Sequence, residues 1–120
     1  MNIEEVRHYC LQKKGATEDF PFGEDTLVLR VMGKIFAILP LEDGDRINLK
    51  CDPELAQELR ERFEDVQPGF HMNKKHWNTV IFNTGLPKND FFPMVDHSYD
   101  LIVAKLKKAD REALNNLDEY

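Results

Sequence analysis

Apolar residues open the chain at helical spacing, with Ile3, Val6 and Cys10 three to four positions apart. Asn2, followed three residues later by Glu5, fits an N-cap with its reciprocal glutamate, and Gly15 supplies a stop, so a helix is predicted over 3–14. The stretch EDFPFG (18–23) interrupts regular structure at Pro21 and Gly23, and Phe20 and Phe22 are expected to plug the core from this loop. From Thr26 the period changes to two. Leu27, Leu29 and Val31 share one face, and Val28 and Arg30 the other. Gly33 marks a tight hairpin into a second strand over 34–41. After EDGD (42–45), Ile47, Leu49 and Cys51 alternate with Arg46, Asn48 and Lys50, the pattern of a half-buried strand.

Asp52 and Pro53 start a second helix, since aspartate caps free amides and proline tolerates the first helical position. Leu55, Leu59 and Phe63 form its expected buried stripe. Residues 66–69 read as a breaker, and 70–72 and 76–82 as two strands joined around Asn73, Lys74 and Lys75. Beyond NTGLPKN (83–89), Val95, Tyr99, Ile102 and Leu106 follow helical spacing from near Asp90, which requires Pro93 to sit in the first turn. Helix continues or restarts through KKADREALNNL (107–117). The order α-β-β-β-α-β-β-α predicts an α+β fold: a two-layer α/β sandwich with an antiparallel five-stranded sheet, helices on one face and the other face open.

The 120 residues match one domain, 1–120, and 42% apolar content supplies a core. No apolar run approaches the roughly 20 residues of a membrane span, and the acidic opening is unlike a signal peptide, so a cytoplasmic location without membrane contact is expected. Cys10 and Cys51 are too far apart for a zinc ribbon or redox pair and read as buried thiols.

The net charge of -6 opposes a phosphate partner. Its distribution alters that picture. Asp and Glu are absent from 26–41, 46–51 and 66–89, the blocks assigned to strands and their turns, which instead hold Arg30, Lys34, Arg46, Lys50, Lys74, Lys75 and Lys88. An acidic helix layer and a basic sheet layer are the expected result. Within the basic block, Trp77 either packs in the core or offers a stacking face beside the lysines.

The segments FPFG (20–23), GKIFAIL (33–39), INLKCDPE (47–54), PGFHMNKKHWNTV (68–80) and HSYDLIVAKL (97–106) together closely resemble the MmcQ/YjbR family over nearly the whole chain, the fourth being the most specific. The resemblance implies a small bacterial α+β domain with a secretion-chaperone-like arrangement, frataxin-like in outline. It also implies a DNA-binding protein with a double-wing motif, the wings being the two hairpins. No catalytic residues come with the family. Lys50, His71, Asn73, Lys74, Lys75, His76, Trp77 and Asn78 match its motif and, with Arg30, Lys34 and Arg46, are the candidate nucleic-acid contacts.

Other chemistry is poorly supported. Ser98 sits in a helical pattern without the sharp turn a nucleophile needs, so a packing or hydrogen-bonding role is expected. Cys51 with His71 or His76 is a weak catalytic pair, and two histidines without a third ligand define no metal site. Glu54, Glu58, Glu61 and Asp65 read as a solvated helix face rather than an iron site. No glycine-rich phosphate loop is present. The expectation is therefore a monomeric, non-enzymatic DNA-binding protein without cofactor or metal. The alternative is a protein or peptide interaction module that uses the exposed sheet edge.

Overall fold

The computed structural model describes residues 1–117. Its elements are α1 (Ile3–Leu11), β1 (Ala16–Asp19), β2 (Thr26–Val31), β3 (Lys34–Pro40), β4 (Arg46–Lys50), α2 (Pro53–Arg62), β5 (Val66–Pro68), β6 (Trp77–Ile81), α3 (Lys88–Ala104) and α4 (Lys108–Asn115). The helix starts follow local chemistry. Asn2 Oδ1 accepts the Glu5 amide at 2.9 Å, while the Glu5 carboxylate pairs with Lys88 at 2.7 Å. Asp52 accepts the Glu54 and Leu55 amides at 3.1 and 3.2 Å, with Pro53 as the first helical residue.

The antiparallel sheet has six strands, in the order β1-β2-β3-β4-β6-β5, where the residue pattern predicts five. β1, Ala-Thr-Glu-Asp, is an edge strand too short and polar to show an alternating signal. The outer strand of the second hairpin is 66–68 rather than 70–72, and its Pro68 is tolerated because an edge strand need not donate on both sides. The β2–β3 turn is at Met32 and Gly33, both with positive φ, as a tight type I′ hairpin requires.

α1 and α3 cover one face of the sheet. The core joins Val6 and Cys10 of α1, Leu27, Leu29 and Val31 of β2, Leu39, Ile47 and Leu49 of the central strands, and Phe91, Val95 and Ile102 of α3. Phe20 and Phe22 do not plug it. They are 50% and 66% exposed, because Phe36, Phe82 and Phe91 already fill the interior from the strands and α3. Leu55, Leu59 and Phe63 are only half-buried, and Ala56 is the buried residue of α2. Pro93 lies inside α3, past its first turn, where it withholds the N–H that would meet the Asn89 carbonyl. α4 is a separate helix that buries Leu114 and leaves Leu117 exposed.

One irregularity ties the two layers together. The β2–β3 register shifts between Leu29, which pairs Ala37, and Arg30, which pairs Ile35, so Phe36 is the extra residue of a bulge. Both Phe36 and Ala37 thereby reach the core, and the Phe36 ring meets Tyr99 edge-on at 5.4 Å. The buried Ser98 hydroxyl donates to the Phe36 carbonyl at 2.6 Å and accepts the Lys50 amide at 2.9 Å. It satisfies two backbone groups where β3 and β4 diverge, the hydrogen-bonding role its sequence context suggests.

Candidate functional site

The face of the sheet opposite α1 and α3 carries no helix. Register puts Thr26, Ile38, Pro40, Arg46, Asn48, Trp77 and Thr79 there, and two loops rise beside them. Together they bound a trough of about 560 Å³, with Thr26, Ile35, Ile38, Pro40 and Asn48 lining it between Phe22 of the 20–25 loop and Phe70, His71, Met72 and Trp77 of the other. Phe70 is 62% exposed. Trp77 is half-buried and stands outside the buried core, so of its two possible placements the sheet surface is realised.

The loop over 69–76 is held down by specific bonds. The Phe70 amide donates to Thr79 Oγ1 at 2.9 Å, and the Thr79 hydroxyl donates to Asn48 Oδ1 at 2.5 Å, so a buried polar pair in the sheet anchors an exposed ring. Arg60 of α2 reaches the other side. Its Nε donates to Asn78 Oδ1 at 2.7 Å, and its Nη2 to the carbonyls of Lys74 and of Trp77, the latter at 3.3 Å. Lys74 Nζ donates to the Gly69 carbonyl at 2.9 Å, and Asn73 Oδ1 accepts the Lys75 amide at 2.9 Å. Gly69 is required where it stands: a Cβ there would come within 2.9 Å of the Met72 and Trp77 Cβ atoms. Arg60 has no sequence signal, since its helix face looks solvated and its acceptors lie 14 to 18 residues away.

The candidate residues therefore divide. Arg46, His71 and Trp77 line the trough. Lys34, Lys74 and Lys75 are exposed, while Asn78 is buried beneath α2 and His76 is half-buried, its carbonyl accepting the Cys51 amide at 2.8 Å. Arg30 is paired with Asp19 at 2.9 Å, and Arg46 with Asp45 at 2.9 Å and more loosely with Asp43 at 3.9 Å.

The charge does not sort by layer as expected, because β1 brings Glu18 and Asp19 into the sheet, where they pair with Arg7 and Arg30. It sorts along the strand axis instead. The Met32–Gly33 turn, the end of β4, the 69–76 loop and the start of β1 all lie at one end of the sheet. The C-terminus of α3 joins them, since Tyr99 Oη donates to the Lys14 carbonyl and Lys105 lies close to Lys50. The connections at this end hold Lys13, Lys14, Lys74, Lys75, Lys105 and Lys107 against the acid Asp52. Those at the opposite end, 20–25, 41–45, 63–65 and 82–87, hold Glu24, Asp25, Glu42, Asp43, Asp45, Glu64 and Asp65 and no lysine or arginine. The two hairpin tips are three strand spacings apart, on the order of 14 Å.

The nucleophiles are quiet. Burial pushes the Cys10 thiol up to about 12, and burial with the neighbouring Asp52 charge pushes Cys51 up to about 11, so neither forms a thiolate near neutrality. Both are free and buried. Among the described residues no group of three or more His, Cys, Asp or Glu side chains is arranged to hold a metal ion. No helix among them is long and apolar enough to cross a membrane.

A two-layer α+β fold with one helix-free sheet face and a paired-hairpin end defines a small class of bacterial domains. The chain belongs to the YjbR family, whose pattern it matches over residues 11–101. It is 35% identical to the YjbR protein of Escherichia coli, over 98% of this chain and all of that one. It is 27% identical to the YyaQ protein of Bacillus subtilis, over 82% of this chain and 95% of the other. Among solved structures, a Deinococcus radiodurans protein with a DUF419 domain superposes with a TM-score of 0.86 at 33% identity, covering 98% of this chain and 89% of its own. A Pseudomonas syringae protein superposes with a TM-score of 0.71 at 29% identity, over 84% and 98%.

Proposed function

We propose that the protein is a non-enzymatic DNA-binding protein that presents the lysine-bearing end of its sheet, with the two hairpin tips as wings. The observation that carries this reading is the convergence of Lys34 at one tip, Lys74 and Lys75 at the other, and Lys50 and Lys105 between them, while the loop acids gather at the far end. A field polarised in this way attracts phosphate locally despite the net charge of -6. Arg30 and Arg46 contribute less, because carboxylates already neutralise them. The Cys10 and Cys51 thiols, raised by burial, and the Ser98 hydroxyl, committed to two backbone groups, favour the non-enzymatic part.

The test is a fluorescence-polarisation titration against random duplex and single-stranded DNA at two salt concentrations, with Lys74→Glu combined with Lys75→Glu. Loss of two phosphate contacts flattens the log-log salt slope by about 1.8. Absence of salt-sensitive binding by the wild type at low ionic strength sinks the reading. A second reading, a protein or peptide interaction module, draws on the trough, where exposed Phe22 and Phe70 flank an apolar floor. Affinity for an aromatic-rich peptide that survives high salt and is lost in Phe70→Ala would favour it.

A further inference from the structure

Leu55 and Leu59 of α2 and Phe63 at its C-cap recur at intervals of four, a stripe that ordinarily packs into a core. Here the stripe is half-buried and forms one wall of a cleft of about 280 Å³. The opposite wall is α3, with Pro93, Met94 and His97, and the strands contribute Leu49 and Val80. The apolar surface is thus concave and enclosed between two helices, on the opposite side of the sheet from the trough.

Cationic groups meet this apolar wall, with Asp90 as the one carboxylate in its lining. Lys50 lines the cleft at the strand-end side, with its ammonium close to that of Lys105, and no carboxylate among the described residues forms an ion pair with it. Its pKa is lowered by partial burial first and by the Lys105 charge second, so the fold holds this ammonium at a cost that a bound anion would offset. His97 Nε2 accepts the Asp52 amide at 3.1 Å, which leaves Nδ1 as the ring nitrogen that can donate. At the other end of the cleft, Arg62 lies 5.0 Å from the Phe63 ring centroid.

We propose that the cleft between α2 and α3 binds a small amphipathic monocarboxylate, its apolar body between Leu55, Leu59 and Met94 and its carboxylate at Lys50. A cleft of about 280 Å³ lies at the small end of ligand pockets, a size suited to a medium-chain acid. The site shares Lys50 with the proposed DNA surface, but its apolar wall lies between α2 and α3 and its test needs no DNA, so the failure of one proposal is distinguishable from the failure of the other.

Octanoate is the probe, with octanamide and inorganic phosphate as controls, read by methyl NMR on the full chain. Octanoate is expected to shift the methyls of Leu55, Leu59 and Met94 saturably in the millimolar range or below, and to leave Ile35 and Ile38 of the trough unmoved. Lys50→Met should weaken it at least fivefold, and Leu59→Trp, which fills the cleft, should abolish it. Phosphate alone should move none of these methyls. Octanamide binding as tightly as octanoate, shifts confined to the trough, or no saturable response would each overturn the assignment.

Discussion

Replacing Ser98 with alanine removes one hydroxyl and strands two backbone groups. The hydroxyl donates to the Phe36 carbonyl at 2.6 Å and accepts the Lys50 amide at 2.9 Å, and both Ser98 and Phe36 are 0% exposed. A buried polar group left without its partner costs about 1 to 3 kcal/mol. Direct closure of β3 on β4 does not readily recover the loss, because the ladder between them is limited to Ala37 with Leu49 and Ile38 with Asn48, and Phe36 is held in the bulge against β2. Taking the lower half of the range for each group, Ser98→Ala should cost about 3 kcal/mol in total. With an unfolding entropy of about 0.25 kcal/mol/K for a chain of this length, that loss lowers Tm by roughly 12 °C. A thermal melt followed by circular dichroism measures it. Thr84→Ala serves as the contrast, since the Thr84 hydroxyl binds Asp65 at an exposed site and its loss should cost under about 1 kcal/mol. A Ser98→Ala melt no lower than that of Thr84→Ala would show that the hydroxyl does not hold the layers together.

Two further outcomes are expected. Arg60→Met keeps the aliphatic stem but leaves the buried Asn78 amide oxygen without its donor, so stability should fall by about 1 to 3 kcal/mol. Amide exchange over 70–76 should accelerate with it, and unchanged exchange there would mean the loop is held by other bonds. Cys10 and Cys51, with thiols raised to about 12 and about 11, should resist a disulfide reagent at pH 8 in the native protein and react only as fast as it unfolds. A rapid native reaction at either cysteine would contradict its burial.

The residue pattern alone determined the elements whose signals are local: α1 and α2 from their caps, the β2–β3 hairpin from Gly33 and period two, and β4 from its alternation. It also led to the family, through the block at 68–80. It missed β1, whose Ala-Thr-Glu-Asp has no apolar face to alternate, and placed the first strand of the second hairpin at 70–72, because Pro68 reads as a breaker unless the strand is known to be an edge. Tertiary structure decided everything that depends on which end or face an element occupies. The charge division looked like one between layers, since element type was the only coordinate available. Strand direction made it a division between ends, with lysines from three separate connections brought together and loop acids sent to the other side. Leu55, Leu59 and Phe63 read as core because helical spacing defines a face without saying what opposes it, and only the packing of α3 leaves a cleft there. Arg60 and Ser98 were equally beyond local reading: each acts on backbone or side-chain groups distant in sequence, and such contacts exist only once the sheet and helices have met.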